Sequence, residues 1–447
     1  MDQAPGKQRT SWASAITPKQ RRMVAAGAIG TLMEYYDYYL YGLAAAVVFP
    51  AVFFPNDNPA VATLESFGSF AFGFLLRPIG GLFWGFIGDR FGRKPALMAT
   101  VIGMGICTAA IGLTPSFATI GIVAPILLLL FRLLQGLFVG GEMGAAATLV
   151  IEHAPVGRRG LFGALLITGA GIANVASAGF MALLGAGSAS FFMAWGWRIP
   201  FIFALVLAVV AVVLRSKLEE PEEFTEHTQA IQLGQVKRTN PLKEALRHPK
   251  NTILGILIGL PQSIAGYIVL TFGLAFLVSK GTHAQVGFIG TMIVGVLQIF
   301  AAPFWGWVSD KVGRRRFYIA AAIVFALLLY PAFALYSTDV ALLIWLGMVV
   351  GFVIPGVAMQ STLQTMLTEM FDVEARITGV NIGYQFSNML GGFAPLIATA
   401  LSLAFGSIWP IIAFAAVVAL IGIIGTAYAS LRPDVENAGR LHEPVQS

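Results

Sequence analysis

"FWGFIGDRFGRK" at residues 83–94 returns as "FWGWVSDKVGRR" at residues 304–315. Phe83, Trp84, Gly85, Asp89, Gly92 and Arg93 reappear as Phe304, Trp305, Gly306, Asp310, Gly313 and Arg314, each displaced by 221 residues. One short basic loop is weak information, but duplication at a single register means that the chain builds the same unit twice. The glycines let two helices approach through a tight turn, while the Asp and Arg suit pairing or capping of a neighbouring helix end.

Both copies are embedded in apolar sequence. The 447-residue chain is 57% hydrophobic and only 11% charged, with 50 Gly and 34 Phe and a mean hydropathy of +0.79. A soluble domain carries about 25% charged residues, whereas abundant small residues suit helices packed in a bilayer. A membrane-crossing helix needs roughly 20 apolar residues. That rule predicts twelve spans, near 23–49, 62–88, 95–114, 119–150, 160–186, 193–215, 251–279, 284–308, 316–336, 340–368, 376–404 and 408–431. Each copy of the repeat then follows the second span of a set of six. The polar stretch 216–250 separates the sets, so the expected division is a 1–22 segment, a 23–215 bundle, a 216–250 linker, a 251–431 bundle and a 432–447 tail. The expected fold class is an all-α membrane protein of 12 transmembrane helices in two pseudo-symmetric six-helix bundles, an arrangement used by transporters with parallel repeats.

Orientation follows from Lys and Arg. With the N-terminus inside, 24 of the 28 basic residues fall in inner segments, and only Arg198 and Lys280 fall outside. Both termini are therefore expected in the cytoplasm, and the net charge of +6 is explained by insertion and anionic lipid, not by nucleic acid. Residues 1–22 are polar, and the run after them is too long for a cleavable signal's apolar core. The single cysteine, Cys107, reads as a small apolar packing residue. The five histidines have no ligand spacing, so no metal site is expected.

The remaining two basic residues, Arg77 and Arg132, lie inside spans, as do Glu34 and Asp37 in "GTLMEYYDYYLYG" (30–42). Counted from the span ends at 1.5 Å per residue, all four sit about 17 to 21 Å deep, near the midplane. Each costs on the order of 3 kcal/mol there by insertion scales. One reading is a structural ion network that orders the first six helices. The other is functional: a buried acid accepts a proton, and the arginine it held becomes free for an anionic substrate. Asp37 is the first choice as proton carrier because it is deeper, with Glu34 close behind. Tyr38 and Tyr41 share the face of the two acids.

The second half places no charge at the midplane, only neutral polar residues: Gln262, Tyr267, Gln298, Gln360, Gln364, Tyr384, Gln385 and Asn388. Each one alone is equally suited to joining helices; as a set facing the acids and arginines they suit a hydroxylated substrate. Gly136, Gly140 and Gly144 form a stripe read as close packing, and Pro355-Gly356 is expected to break its span.

"GDRFGRK" resembles the signature of the major facilitator superfamily. "EYYDYYLYG", "GFLLRPIGG", "RLLQGLFVGGE", "EHAPVGRRG" and "WGWRIPF" are similar to motifs of its metabolite:proton symporter family, and "TPSFATIGIVAPILL" and "GYQFSNMLGGFAPLIATAL" resemble that family's bacterial shikimate carriers. "TEMFDVEARITG" (368–379) departs from the "ELFPTRVR" pattern of many relatives. The resemblance implies alternating access driven by a proton gradient, with the proton as coupling ion and no cofactor. The implied substrate is a small organic acid, shikimate-like or another hydroxylated or aromatic carboxylate, carried across a bacterial inner membrane. Proline or betaine is the alternative, although the family's osmosensing betaine carriers end in a coiled coil and 432–447 holds no heptads. The resemblance also associates Arg132, in its "R-x-x-Q-G" motif, with proton transfer. Asp89, Arg93 and Glu152, with the duplicated Asp310 and Arg314, are read as an inner gate: Asp89 toward the start of the eleventh span, Arg93 toward Glu152. A monomer is expected, since the two halves already enclose a pathway. No nucleophile or metal-ligand pattern suggests an enzyme, and 216–250 is short for a sensor's output domain.

Overall fold

The computed structural model describes residues 17–91, 93–140, 143–155, 157–216, 249–372 and 376–431. Most of the expected linker and tails lies outside these residues. The described chain is helical nearly throughout: α1 Pro18–Val47, α2 Phe49–Val52, α3 Pro59–Leu75, α4 Arg77–Phe91, α5 Arg93–Leu113, α6 Phe117–Ile120, α7 Val123–Val139, α8 Met143–Glu152, α9 Arg159–Gly185, α10 Ala189–Phe191 and α11 Arg198–Ser216. After residue 248 come α12 Pro249–Gly266, α13 Gly273–Ser279, α14 Ala284–Val312, α15 Arg314–Tyr336, α16 Ala341–Met348, α17 Pro355–Met370, α18 Arg376–Gly391, α19 Ala394–Phe405 and α20 Trp409–Tyr428. Among the described residues, nine helices are long and apolar enough to cross a membrane, ten if the pair bent at Trp197 counts as one. The two other expected spans correspond to α1, made more polar by its acids and tyrosines, and to α7 followed by α8.

Local chemistry sets several ends and breaks. Thr17 caps α1 in a reciprocal box with Gln20, and Pro18 occupies the first turn, where its missing N–H has no helical partner to lose. Turns with π-type bonding run through Phe192–Gly196, Tyr267–Phe272 and Val349–Val353. The last of these ends at the expected Pro355-Gly356 break, with Pro355 opening α17. Arg198 ties the start of α11 to the end of α5, donating from Nη1 to the carbonyls of Gly112 at 2.8 Å and Thr114 at 2.6 Å. Its guanidinium also stacks on Trp197, 4.4 Å from the ring centre.

The longest seam joins α9 to α14, which run antiparallel. A Cβ on Gly306 would stand 2.4 Å from that of Ala164, and one on Gly295 would stand 2.8 Å from the Val175 backbone nitrogen. Glycine is required here because backbone itself fills the space. Gly295→Val and Gly306→Val are each expected to cost about 1–3 kcal/mol through overpacking, seen as a lower melting temperature in detergent. Gly179→Ala, whose Cβ would meet only the Met292 sulfur at 3.6 Å, should leave melting unchanged.

Candidate functional site

Glu34 and Asp37 are three residues apart on α1, so their side chains leave the helix about 60° apart. That divergence separates them. The expected single cluster of four charges is two pairs. Glu34 Oε1 lies 3.1 Å from Arg77 Nη1, and Asp37 Oδ2 lies 2.8 Å from Arg132 Nη1. All four side chains are 5% exposed or less. Arg77 opens α4 immediately after the Leu76 break and lies 4.3 Å over the Phe74 ring. Arg132 stacks 4.0 Å over Tyr41, whose hydroxyl bonds Ser69 at 2.8 Å.

The Asp37 pair is embedded in further donors. Thr108 Oγ1 donates to Asp37 Oδ1 at 3.2 Å, and Gln135 Nε2 donates to the same oxygen. Gln135 Oε1 in turn accepts from Arg132 Nη1. Neither Thr108 nor Gln135 was singled out by the sequence reading, although Gln135 stands three residues after Arg132 and so shares its face. Glycines admit the charges: a Cβ on Gly73 would lie 2.2 Å from Arg132 Nε, and one on Gly140 would lie 2.1 Å from the Arg77 carbonyl. Gly136 and Gly140 thus pack α7 closely on α3 and α4, while Gly144 is among the residues whose side of the helix is not described.

The Glu34 pair lines a central cavity whose opposite wall comes from the second half. Gln262, Ser263, Tyr267, Phe352, Gln360, Tyr384 and Asn388 face Glu34, Tyr35, Tyr38, Tyr39 and Arg77. Tyr35 and Tyr384 join hydroxyls across it at 3.1 Å, and Ser263 Oγ donates to Asn388 Oδ1 at 2.8 Å. The space left is about 20 Å³, hardly more than a water molecule occupies. Of the residues expected at a substrate site, Arg77, Tyr38, Gln262, Tyr267, Gln360, Tyr384 and Asn388 line this cavity. Arg132, Tyr41, Gln298, Gln364 and Gln385 do not. Gln298 stands behind Gln360 and donates to its Oε1 at 2.8 Å. Tyr35, Tyr39, Ser263 and Phe352 are additions that the sequence reading did not name.

At the basic end of the molecule, Asp310 meets the first turn of α9. Its two oxygens accept from the Gly160 N–H at 2.8 Å and the Leu161 N–H at 2.9 Å, where the helix dipole favours an anion. Arg314 pairs with Asp310 at 3.1 Å and with Glu369 at 2.9 Å. Glu152 pairs with Arg376 of α18, in the other half of the chain, while the side chain of Arg93, its expected partner, lies outside the described residues. The end of α8 and the start of α18 bring Glu152 and Arg376 together, a tertiary contact that no local spacing encodes. The side chain of Asp89 also lies outside the described residues.

Two buried acid–arginine pairs in apolar helices, one of them on the wall of a cavity between the two halves of a duplicated chain, define a multi-pass membrane transporter. The chain belongs to the major facilitator superfamily. Residues 23–227 match the family model described as "Sugar (and other) transporter", and residues 253–445 match that of the "Major Facilitator Superfamily". The Escherichia coli shikimate transporter is 38% identical over 395 residues, covering 88% of this chain and 90% of that protein. A proline/betaine transporter of Salmonella typhimurium is 34% identical over 416 residues, covering 91% of this chain and 82% of that one. The proton:xylose symporter XylE has the same fold, with a TM-score of 0.69 at 17% identity over 92% of this chain and 94% of its own.

Proposed function

We propose that this transporter imports a small hydroxylated carboxylate of the shikimate type together with a proton across a bacterial inner membrane, without a cofactor. The observation that carries the reading is the Glu34–Arg77 pair on the wall of the central cavity. Empty, the pair is neutral. When Glu34 takes a proton, Arg77 Nη1 is released and offers a planar fork of donors that matches a carboxylate. Protonated Glu34, Arg77 and the bound anion again sum to zero. The loaded and empty states therefore both cross the low-dielectric interior without net charge, whereas anion alone or proton alone leaves a charge that is expensive to bury. That asymmetry couples the two fluxes.

Glu34 replaces Asp37 as the first choice of proton carrier, because it faces the space that substrate enters. Asp37 lies behind, enclosed by Arg132, Thr108 and Gln135. The Asp310 and Glu152 contacts would close the inner end while the cavity faces outward.

The test is radiolabelled uptake into proteoliposomes under an imposed inward proton gradient. Wild type is expected to accumulate shikimate, while Glu34→Gln loses gradient-driven accumulation and keeps counterflow exchange. A Glu34→Gln variant that still accumulates substrate against its gradient sinks the coupling assignment. A second reading has its own support: Tyr35, Tyr38, Tyr39, Tyr267 and Phe352 surround the acid–arginine pair. Ring faces beside a carboxylate suit the cationic end of a zwitterion. Accumulation of proline or betaine, with shikimate ignored, would establish that alternative.

A further inference from the structure

Behind the cavity lies a group of buried polar atoms that packing leaves without partners. Asn174 on α9 is fully buried, and neither its Nδ2 nor its Oδ1 has a hydrogen-bond partner. Gln298 Oε1, Thr291 Oγ1 and the Tyr39 hydroxyl are in the same condition. Their residues are 0%, 1% and 3% exposed. Buried polar groups are nearly always satisfied, and a leucine or methionine would fill each place without that penalty.

Helix geometry turns Asn174 and Gln298 toward one flank of the α9–α14 seam. Gly171 of α9 packs on Gly295 and Ile299 of α14. Asn174 stands three residues beyond Gly171, and Gln298 three residues beyond Gly295, so each side chain is turned about 60° off the seam. The helices are antiparallel, and both rotations therefore point to the same flank. That flank is the interior. Gln298 reaches Gln360 there, and Gly163, three turns before Asn174 on the same face of α9, packs against Thr365 of α17. The Tyr39 hydroxyl is directed toward Gln298 and Gln360. Tyr39 and Gln360 also line the central cavity, and Gln298 stands directly behind Gln360.

We infer that Asn174 and Gln298, with Tyr39 and Gln360, form a subsite that reads the ring hydroxyls of the substrate; the inference rests on the carboxylate reading above. The group carries no charge and mixes donors with acceptors: Asn174 supplies one of each, Gln298 an acceptor, and the Tyr39 hydroxyl either. An anion accepts only and leaves the acceptors unmatched, whereas alcohol groups both donate and accept. With the carboxylate on Arg77, the hydroxylated edge of a six-membered ring faces Gln360 and Tyr39. Because α9 and α14 belong to opposite halves, hydroxyls bridging Asn174 and Gln298 also hold the halves closed, so the closed state is favoured by the correct substrate.

The experiment compares shikimate with 1-cyclohexenecarboxylate, which keeps the ring and carboxylate but lacks the hydroxyls. Affinities are read from ligand-induced thermal stabilisation of the purified full-length protein. Asn174→Leu is expected to weaken shikimate about tenfold and to leave 1-cyclohexenecarboxylate within twofold. Gln298→Met should show the same pattern, and it carries the comparison if Asn174→Leu does not fold. Equal weakening of both ligands, or of neither, overturns the subsite and leaves the carboxylate reading standing. Wild type that binds neither acid overturns the carboxylate reading, and the subsite with it.

Discussion

Replacing Arg77 by alanine is expected to lower carboxylate uptake by roughly a hundredfold or more, the usual outcome when one partner of a buried, charge-assisted contact is truncated. The guanidinium sits between two acceptors in the proposed cycle, Glu34 in the empty state and substrate in the loaded one, so its removal damages both. Stability should fall as well, by about 3–5 kcal/mol, because the Glu34 carboxylate loses the cation 3.1 Å away. The two losses separate in a double variant. Glu34→Gln with Arg77→Leu removes both charges, and its melting temperature should return toward wild type while uptake stays at background. Arg77→Lys tests geometry: the charge is kept, but the planar fork and the stacking on Phe74 are lost, so uptake should be intermediate. If uptake returns together with stability in the double variant, Arg77 is a packing residue and the substrate carboxylate binds elsewhere.

The parts legible in the sequence were those set by period and by exclusion. The 221-residue repeat, the apolar runs and the placement of Lys and Arg are properties of single segments. The four midplane charges stood out because a bilayer core penalises charge so strongly. Their pairing was not legible, because depth along a helix says nothing about which neighbour it faces. Glu34 and Asp37 looked like one acidic face, yet a 60° divergence sends one to α4 and the cavity and the other to α7. Neutral partners were harder still. Thr108 and Asn174 are single polar residues in apolar runs, a pattern shared by many residues that merely bond their own backbone, as Thr362 bonds Ala358. The Glu152–Arg376 contact joins residues 224 positions apart, and no motif links the two segments.

The Asp37–Arg132 pair should be the more strongly coupled of the two in stability, despite standing back from the cavity. Arg132 is 1% exposed, pairs at 2.8 Å, and lies on the face of Tyr41. Asp37 takes two further hydrogen bonds from Thr108 and Gln135. Arg132→Met is expected to cost about 3–5 kcal/mol, since the buried Asp37 carboxyl group then loses the cation 2.8 Å away. Asp37→Leu is expected to be as damaging, because it strands a guanidinium whose Nε and Nη2 already have no partner. Removing both together should cost less than either alone, since neither charge is then left exposed to an apolar interior. A double-mutant cycle on melting in detergent reads this directly, and strict additivity would mean that the pair is screened by water and is not a buried unit. Backbone approach makes the same point from another side. Gly73→Val would drive a side chain into Arg132, with the Cβ alone 2.2 Å from Nε, and it should reproduce much of the Arg132→Met loss while both charges are still present. The pair is thus held by packing as much as by Coulomb attraction. A pair held that tightly is suited to ordering α1 against α7 through the transport cycle, while the Glu34–Arg77 pair, open to the cavity, exchanges partners.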